Sequence, residues 1–371
     1  MKILIAASSG ESLTNFRGKM IEQMVQYGHQ VICLSAEPVI EMKESINKLG
    51  AEYISLEMER VGTNPFKDLK VIKKFKKIIK QINPDMFFAY MSKPVAYGGY
   101  AARKCKVKSV NFLVNGLENA YYRKDIKSFI LRRVLNFFYR YAFKKADNVF
   151  FQNADDMKLF CDSKISTYKQ SSVVDGSGVD MTHYTREEMP EKFSLIMVAR
   201  LLWSKGIREY VAAAKIVKQK YPEIEFNLIG GLDCNQEAMK KEELDTLIKE
   251  NIIKYHGKQK DVRPYLSSST VFCLPSYHEG LPRSVLEAMA TGRPILTTNV
   301  PGCKDTVIDG YNGFIVEKGD SVGLANKIIE LYENQDLVKT MSENSYKRCT
   351  EKYEVKIINR YLLEKMNIEE I

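Results

Sequence analysis

Short apolar runs alternate with longer stretches of helical period along the whole chain. In the first half, Lys2–Ala7, Gln30–Leu34, Glu52–Ser55, Asp85–Ala89, Ser109–Leu113 and Asn148–Gln152 read as strands. In the second half the same reading falls on Ser194–Val198, Phe226–Ile229, Ile252–Tyr255, Thr270–Leu274 and Ile295–Thr298. Between them lie runs with apolar residues three and four positions apart, the signature of amphipathic helices. Strands joined through helices pair in parallel, because each helix returns the chain to the edge it left. The pattern therefore predicts doubly wound α/β sheets.

Several helices can be bounded from the same pattern. One begins near Ser12 and runs to Tyr27, with Gly28 as its stop, and three more occupy Ser321–Asn334, Asp336–Glu351 and Glu354–Met366. Pro65–Gln81 places Leu69, Ile72, Phe75, Ile78 and Ile79 on one face and lysines elsewhere. Arg123–Lys145 combines Ile126, Phe129, Ile130, Val134, Phe137, Phe138 and Tyr141 with Arg132, Arg133, Arg140, Lys144 and Lys145. This last helix has two readings. Its apolar stripe is core and its charges a solvated face, or it lies on an anionic bilayer with its aromatic residues dipping in.

A chain of 371 residues is long for one domain, which predicts two. The charged, proline-containing segment Thr185–Lys192 suits a linker, and the strand–helix alternation restarts just after it. Charge sharpens the division. Residues 1–175 hold 29 Lys and Arg against 17 Asp and Glu, and the remainder 27 against 29. The excess of positive charge thus lies wholly in the first half and calls for an anionic partner there: nucleic acid, a membrane surface or a phosphorylated substrate. Seven dispersed cysteines without a C-x-x-C predict reduced thiols rather than disulfides or a zinc site, and hence a cytoplasmic protein. The first residues do not read as a signal peptide, and no apolar run approaches a membrane span.

The most informative stretch is Ser276–Gly319. After the strand at Thr270–Leu274, a turn holding Gly280 and Pro282 leads into a helix, Arg283–Ala290, which Gly292 ends. That places Glu279–Arg283 at the carboxyl edge of a parallel sheet, where such sheets bind ligands. The open N–H groups of the helix suit phosphate oxygens. Glu279 and Glu287 can hold two hydroxyl-bearing parts of one ligand. Upstream, in ARLLWSKG, Arg200 and Lys205 bracket another strand–helix turn. A planar cation and a point charge at a sheet's mouth are what a diphosphate requires.

E-G-L-P-R-S-V-L-E-A-M-A-x-G-R-P-I resembles the signature of the retaining glycosyltransferases of family four, with Glu279 and Glu287 on its E-x7-E element. Arg200, Lys205 and Gly206 resemble the same family's G/A-R-x-x-x-x-K-G element. Asp175–Asp180, DGSGVD, resembles the interdomain N-G-V-D with Ser177 in place of Asn. The resemblance implies the GT-B fold, two Rossmann-like doubly wound domains facing across a cleft. The expected boundaries are 1–178 for an acceptor-side domain and 179–353 for a nucleotide-sugar domain. Residues 354–371 are expected as a terminal helix crossing back to the first.

The resemblance also implies roles. Arg200 and Lys205 neutralise the leaving diphosphate and Glu279 holds a donor sugar hydroxyl. Glu287 holds the ribose diol, while Gly280, Leu281 and Pro282 form the turn against the nucleotide. Gly230 lets a ligand approach the backbone, and Gly257 and Lys258 border the base. Asp305 stands where relatives often carry a Glu. In the first half, Ser9, Gly10, Asn115 and Glu118 sit in loops expected to meet the acceptor; relatives carry an acid at the position of Asn115, which leaves Glu118 as the candidate contact. No cofactor or metal is expected, since two cations and helix amides serve the diphosphate and no D-x-D flanks a strand.

The implied reaction is retaining transfer of a sugar, an N-acetylhexosamine, from a UDP-sugar to a lipid-diphosphate-linked saccharide. The resemblance is greatest to bacterial enzymes acting on undecaprenyl-diphosphate-linked saccharides of O-antigen, capsule or N-glycan assembly. The expected partners are the nucleotide sugar, the lipid-linked acceptor and an anionic membrane surface met by the N-terminal half, from the inner face. Two alternatives stay open. A UDP-sugar 2-epimerase of the same fold leaves the basic half unexplained. A nucleic-acid-binding protein is disfavoured, because the basic residues are spread over amphipathic helices.

Overall fold

The computed structural model describes residues 1–58, 65–117, 119–122, 125–233 and 238–370. The chain divides into two compact units, Met1–Ser177 with Lys356–Ile371, and Gly178–Val355. The first unit is built on β1 (Lys2–Ala6), β2 (Gln30–Ser35), β3 (Glu52–Ser55), β4 (Met86–Tyr90), β5 (Ser109–Val114), β6 (Asn148–Phe151) and β7 (Ser171–Val173). They form one seven-stranded sheet in the order β3-β2-β1-β4-β5-β6-β7, parallel throughout. Strands such as FFAY and ILIA are apolar at every position because helices cover both faces.

The second unit repeats the plan. β8 (Ser194–Val198), β9 (Glu225–Ile229), β10 (Lys254–Tyr255), β11 (Val271–Leu274), β12 (Ile295–Thr298) and β13 (Gly313–Val316) pair in parallel in the order β10-β9-β8-β11-β12-β13. The strand order reverses at β8 and β11, so the loops leaving their carboxyl ends diverge and open a crevice between them. Val271 pairs with Leu195, which fixes how far each strand end projects. Both sheets are doubly wound, as the alternation predicts.

The chain passes between the units twice, and the two passages are joined on the second unit's side. Val179 donates its N–H to the Tyr353 carbonyl at 2.9 Å, and Val355 donates to the Val179 carbonyl at 2.9 Å. The helix Val355–Lys365 carries the chain back into the first unit. There Ile358, Leu362, Leu363 and Met366 complete the core around Ile3, Ile5, Phe88 and Phe150. The Asn148 amide donates to the Lys365 carbonyl at 2.8 Å.

Two helices depart from their expected faces. In Pro65–Ile82, Ile72, Phe75 and Ile79 are buried, but Leu69 is 54% exposed. The long aromatic helix spans Ile126–Phe143, N-capped by Asp125, whose side chain accepts the Ser128 N–H. Its core contacts come from Leu135, Tyr139, Ala142 and Phe143, at helical spacings of four, three and one. Much of the expected core stripe faces outward instead: Ile126 is 71% and Phe137 60% exposed, and Phe129, Ile130 and Val134 are exposed as well. The guanidinium groups of Arg132 and Arg133 lie 5.8 and 5.3 Å from the Phe129 ring. Arg140 is exposed, as expected of a surface charge, and donates to the Lys164 and Ser163 carbonyls at 3.3 and 3.1 Å. Among the described residues, no helix is long and apolar enough to cross a membrane.

Candidate active site

The crevice of the second unit is set by backbone geometry first. β8 ends at Val198, and Ala199–Leu202 lead into a short 3-10 turn, Trp203–Lys205, closed by Gly206. Gly206 has φ +79°, and a Cβ there would lie 1.9 Å from the Pro275 carbonyl oxygen. No other residue allows the turn to sit directly on the chain leaving β11. Ser204 binds the same chain through its carbonyl, which accepts from the Tyr277 N–H at 2.9 Å and from the Ser276 hydroxyl at 3.1 Å. The turn bearing Lys205 and the loop bearing Glu279 thus form one clamped unit.

Lys205 Nζ lies 2.5 Å from Glu279 Oε1, with side chains only 21% and 14% exposed. The same oxygen accepts from Ser276 Oγ at 2.9 Å. Arg200, 68% exposed, pairs with Asp233 at 3.1 Å, an acid that the sequence reading did not single out. Val198, Ala199, Arg200, Lys205, Leu274, Glu279, Pro282, Arg283 and Ser284 line one cavity of about 200 Å³. The helix Arg283–Ala290 begins at Pro282 without a side-chain cap, and Pro282, Arg283 and Ser284 at its start line that cavity. Residues far apart in sequence converge here with three cations, Arg200, Lys205 and Arg283, one carboxylate and a helix N-terminus. Such a set binds an anionic group and a hydroxyl beside it.

Glu287 lies one turn along that helix. Its Oε1 accepts from Arg283 Nε at 3.0 Å, and Tyr184, almost buried, also bonds its carboxylate. Burial raises the Glu287 carboxyl above its ordinary value, against the opposing pull of Arg283. The same burial, with the nearby Glu287 charge, raises the Tyr184 phenol. Leu281 and Pro282 are buried in the turn, and Gly280 packs beneath Gly302.

Gly230 and Gly257 are outside the lining of that cavity but meet each other after β9 and β10. Gly230 donates to the Gly257 carbonyl at 3.0 Å, and a Cβ on Gly230 would lie 1.8 Å from the Ala199 carbonyl. Lys258 is exposed, its stem passing over Gly231. His256 bonds Asn227 at 2.8 Å and packs on Tyr265, a structural place at the strand end. Burial and Lys254 hold its imidazole below the usual histidine range. Asp305 accepts the Gly302 N–H at 2.9 Å, which gives this acid a backbone to hold.

The first unit gathers its own candidates at a sheet edge. Ser8 Oγ bonds Met91 Sδ at 2.9 Å, and Asn115 Oδ1 accepts the Met91 N–H at 3.2 Å. Met91 has φ +66°, a left-handed conformation that these two neighbours hold in place. Ser9 precedes the helix Gly10–Gln26, and the Gly10 N–H is taken by Glu37 at 2.7 Å. Asn115, Ser9 and Gly10 are thus tied into the loops after β1, β4 and β5, and Glu118 lies outside the described residues. Among the described residues, no group of three His, Cys, Asp or Glu is placed to hold a metal ion.

Comparison with known proteins puts names to both units. Residues 2–153 match the model of the "Glycosyl transferase 4-like" family and residues 185–348 that of "Glycosyl transferases group 1". A Campylobacter jejuni protein, N,N'-diacetylbacillosaminyl-diphospho-undecaprenol alpha-1,3-N-acetylgalactosaminyltransferase, is 28% identical over 98% of this chain and 97% of its own. An Escherichia coli UDP-Gal:alpha-D-GlcNAc-diphosphoundecaprenol alpha-1,3-galactosyltransferase is 25% identical over 75% of this chain and 74% of its own. Among solved structures, Anabaena HepE in complex with UDP-glucose superposes with a TM-score of 0.79 at 17% identity, over 99% of both chains. The chain is therefore a glycosyltransferase of GT-B type, its first unit belonging to the glycosyl transferase 4-like domains and its second to the group 1 domains.

Proposed function

We propose that this enzyme moves an N-acetylhexosamine from a UDP-sugar onto a lipid-diphosphate-linked saccharide, with retention at the anomeric carbon. The observation that carries the reading is the cavity shared by Arg200, Lys205, Glu279 and the open start of the Arg283–Ala290 helix. Arg200, Lys205 and the helix amides bind the diphosphate and stabilise the charge that grows on it as the glycosidic bond breaks. Glu279 accepts a donor sugar hydroxyl, and Glu287 the ribose diol. With two cations and a helix terminus on the diphosphate, the reaction proceeds without metal. The alpha-linked products and undecaprenyl-diphosphate acceptors named for the Campylobacter and Escherichia relatives support the acceptor class.

The basic first unit fits such an acceptor, and its exposed apolar row fits the membrane that carries one. Ile126, Phe129, Ile130 and Phe137 flanked by Arg132 and Arg133 would seat the helix on an anionic leaflet from the inner face. A screen of UDP-N-acetylgalactosamine, UDP-N-acetylglucosamine and UDP-galactose against an undecaprenyl-diphosphate disaccharide, with and without EDTA, tests the chemistry. Transfer from none of them, or interconversion of the UDP-sugars without acceptor, would overturn the reading in favour of an epimerase. Pelleting with phosphatidylglycerol vesicles tests the surface. Arg132→Glu with Arg133→Glu should release the protein, and retention of both the variant and the parent on DNA instead would point to a nucleic acid.

A further inference from the structure

The loop Pro301–Thr306 is absent from the cavity lining, yet the backbone that carries Glu279 rests on it. The Glu279 N–H donates to the Pro301 carbonyl at 3.2 Å. Gly302 sits against the next two carbonyls so closely that a Cβ there would lie 2.5 Å from the Glu279 oxygen and 2.4 Å from the Gly280 oxygen. Gly302 is itself held, because its N–H donates to Asp305 Oδ2 at 2.9 Å. Asp305 is held in turn through its main-chain carbonyl, which accepts from Tyr353 Oη at 2.6 Å and Arg348 Nη2 at 2.9 Å. Tyr353 is fully buried, and its own carbonyl receives the Val179 N–H where the chain enters the second unit.

From this unbroken series of contacts we infer that Asp305 and Tyr353 are positioning residues for Glu279. Neither lines the cavity. Asp305 fixes the amide of Gly302 and so the floor under Glu279–Gly280, while Tyr353 fixes Asp305 relative to the rest of the unit. A carboxylate meant to meet one sugar hydroxyl tolerates little displacement, since a shift of about 1 Å can cost two orders of magnitude in rate. The inference rests on the proposed role of Glu279 for its effect on turnover, but the brace itself can be tested apart from that role.

The variants are Asp305→Ala, Asp305→Asn and Tyr353→Phe in the full chain. Asparagine keeps an oxygen that can accept the Gly302 N–H, and phenylalanine keeps the buried ring. Hydrogen exchange at the Glu279 amide reads the brace directly, calorimetry with UDP reads the diphosphate site, and UDP-N-acetylgalactosamine turnover reads the chemistry. Asp305→Ala and Tyr353→Phe should speed Glu279 exchange about tenfold and lower kcat about tenfold, with UDP affinity within twofold of the parent. Asp305→Asn should restore both. Parental exchange at Glu279 in Asp305→Ala and Tyr353→Phe, with only the melting temperature lowered, would overturn the inference. Parental turnover in Glu279→Gln would instead overturn the role given to Glu279, and the exchange result would still decide the brace.

Discussion

Arg200 and Lys205 should not contribute equally to UDP binding. Lys205 is mostly buried, and its ammonium is held 2.5 Å from Glu279; Arg200 is largely exposed and paired with Asp233 at the rim. A charge-assisted contact in a desolvated place is worth about 1.5–3 kcal/mol, whereas an exposed ion pair is worth roughly 1 kcal/mol or less. Lys205→Ala should therefore weaken UDP roughly 10- to 150-fold, and Arg200→Ala only several-fold. Glu279 adds a further term. Its carboxylate competes with the diphosphate for Lys205, and removing its charge leaves the ammonium available. Glu279→Gln should then bind UDP as well as the parent or a few-fold better, and Lys205→Ala on that background should cost more than it does alone. Titration calorimetry with UDP in the presence of EDTA measures the parent and all four variants. Equal affinity of the Lys205→Ala variant and the parent would refute the argument, as would loss of parental binding on chelation.

Further outcomes follow from the same geometry. Glu287→Gln should weaken UDP itself, whereas Glu279→Gln should impair turnover without weakening UDP, and equal weakening by both would refute the division of ribose and sugar between them. Because burial raises the Glu287 carboxyl, it takes up its proton at a higher pH than an ordinary glutamate. UDP affinity should therefore fall as pH is lowered through that raised value, and the Glu287→Gln profile should stay flat there. The stability linkage has the opposite sense: the contribution from a raised carboxyl is present at low pH and lost as pH rises through the folded value, so the Glu287→Gln variant should gain stability relative to the parent as pH rises through that range. Gly206→Ala forces a left-handed alanine, at about 1–2 kcal/mol, and drives its Cβ into the Pro275 carbonyl. It should lower the urea midpoint and UDP affinity together. Gly319→Ala, with the same sign of φ but open space around it, should cost only about 1 kcal/mol and leave UDP binding unchanged.

The alternation of strands was legible because buried parallel strands are apolar at every position. Ser194–Val198 and Ile295–Thr298 were bounded to the residue, and so was the helix Arg283–Ala290 between Pro282 and Gly292. The edge strand Ser171–Val173 was not, since three residues of Ser-Ser-Val carry no periodic signal. The aromatic helix misled for a subtler reason. Its apolar residues cover more than one face, and the period alone does not say which face meets the sheet. Leu135 and Tyr139 share a helical row as Ile126 and Ile130 do, yet one row is buried and the other exposed. In the site, each half of the Lys205–Glu279 pair stood out in its own turn. Their contact across 74 positions depends on the pairing of β8 with β11, which the sequence does not state. Asp233 and the backbone task of Asp305 were hidden likewise, because a lone acid in a loop has no pattern to betray its partner.

The return of the chain after Lys356 bears on how the protein is made. The first unit's core contains Ile3, Ile5, Phe88 and Phe150, and these are covered by Ile358, Leu362, Leu363 and Met366. On the ribosome, the N-terminal sheet emerges long before the helix that covers it, and the whole second unit is synthesised in between. The nascent sheet therefore carries an uncovered apolar strip throughout that interval, the kind of surface that recruits chaperones or aggregates. A truncation before residue 356 would leave the second unit intact and the first unit permanently short of its last layer. Expression of such a fragment should yield a chain that still binds UDP but precipitates unless the missing helix is supplied as a separate peptide.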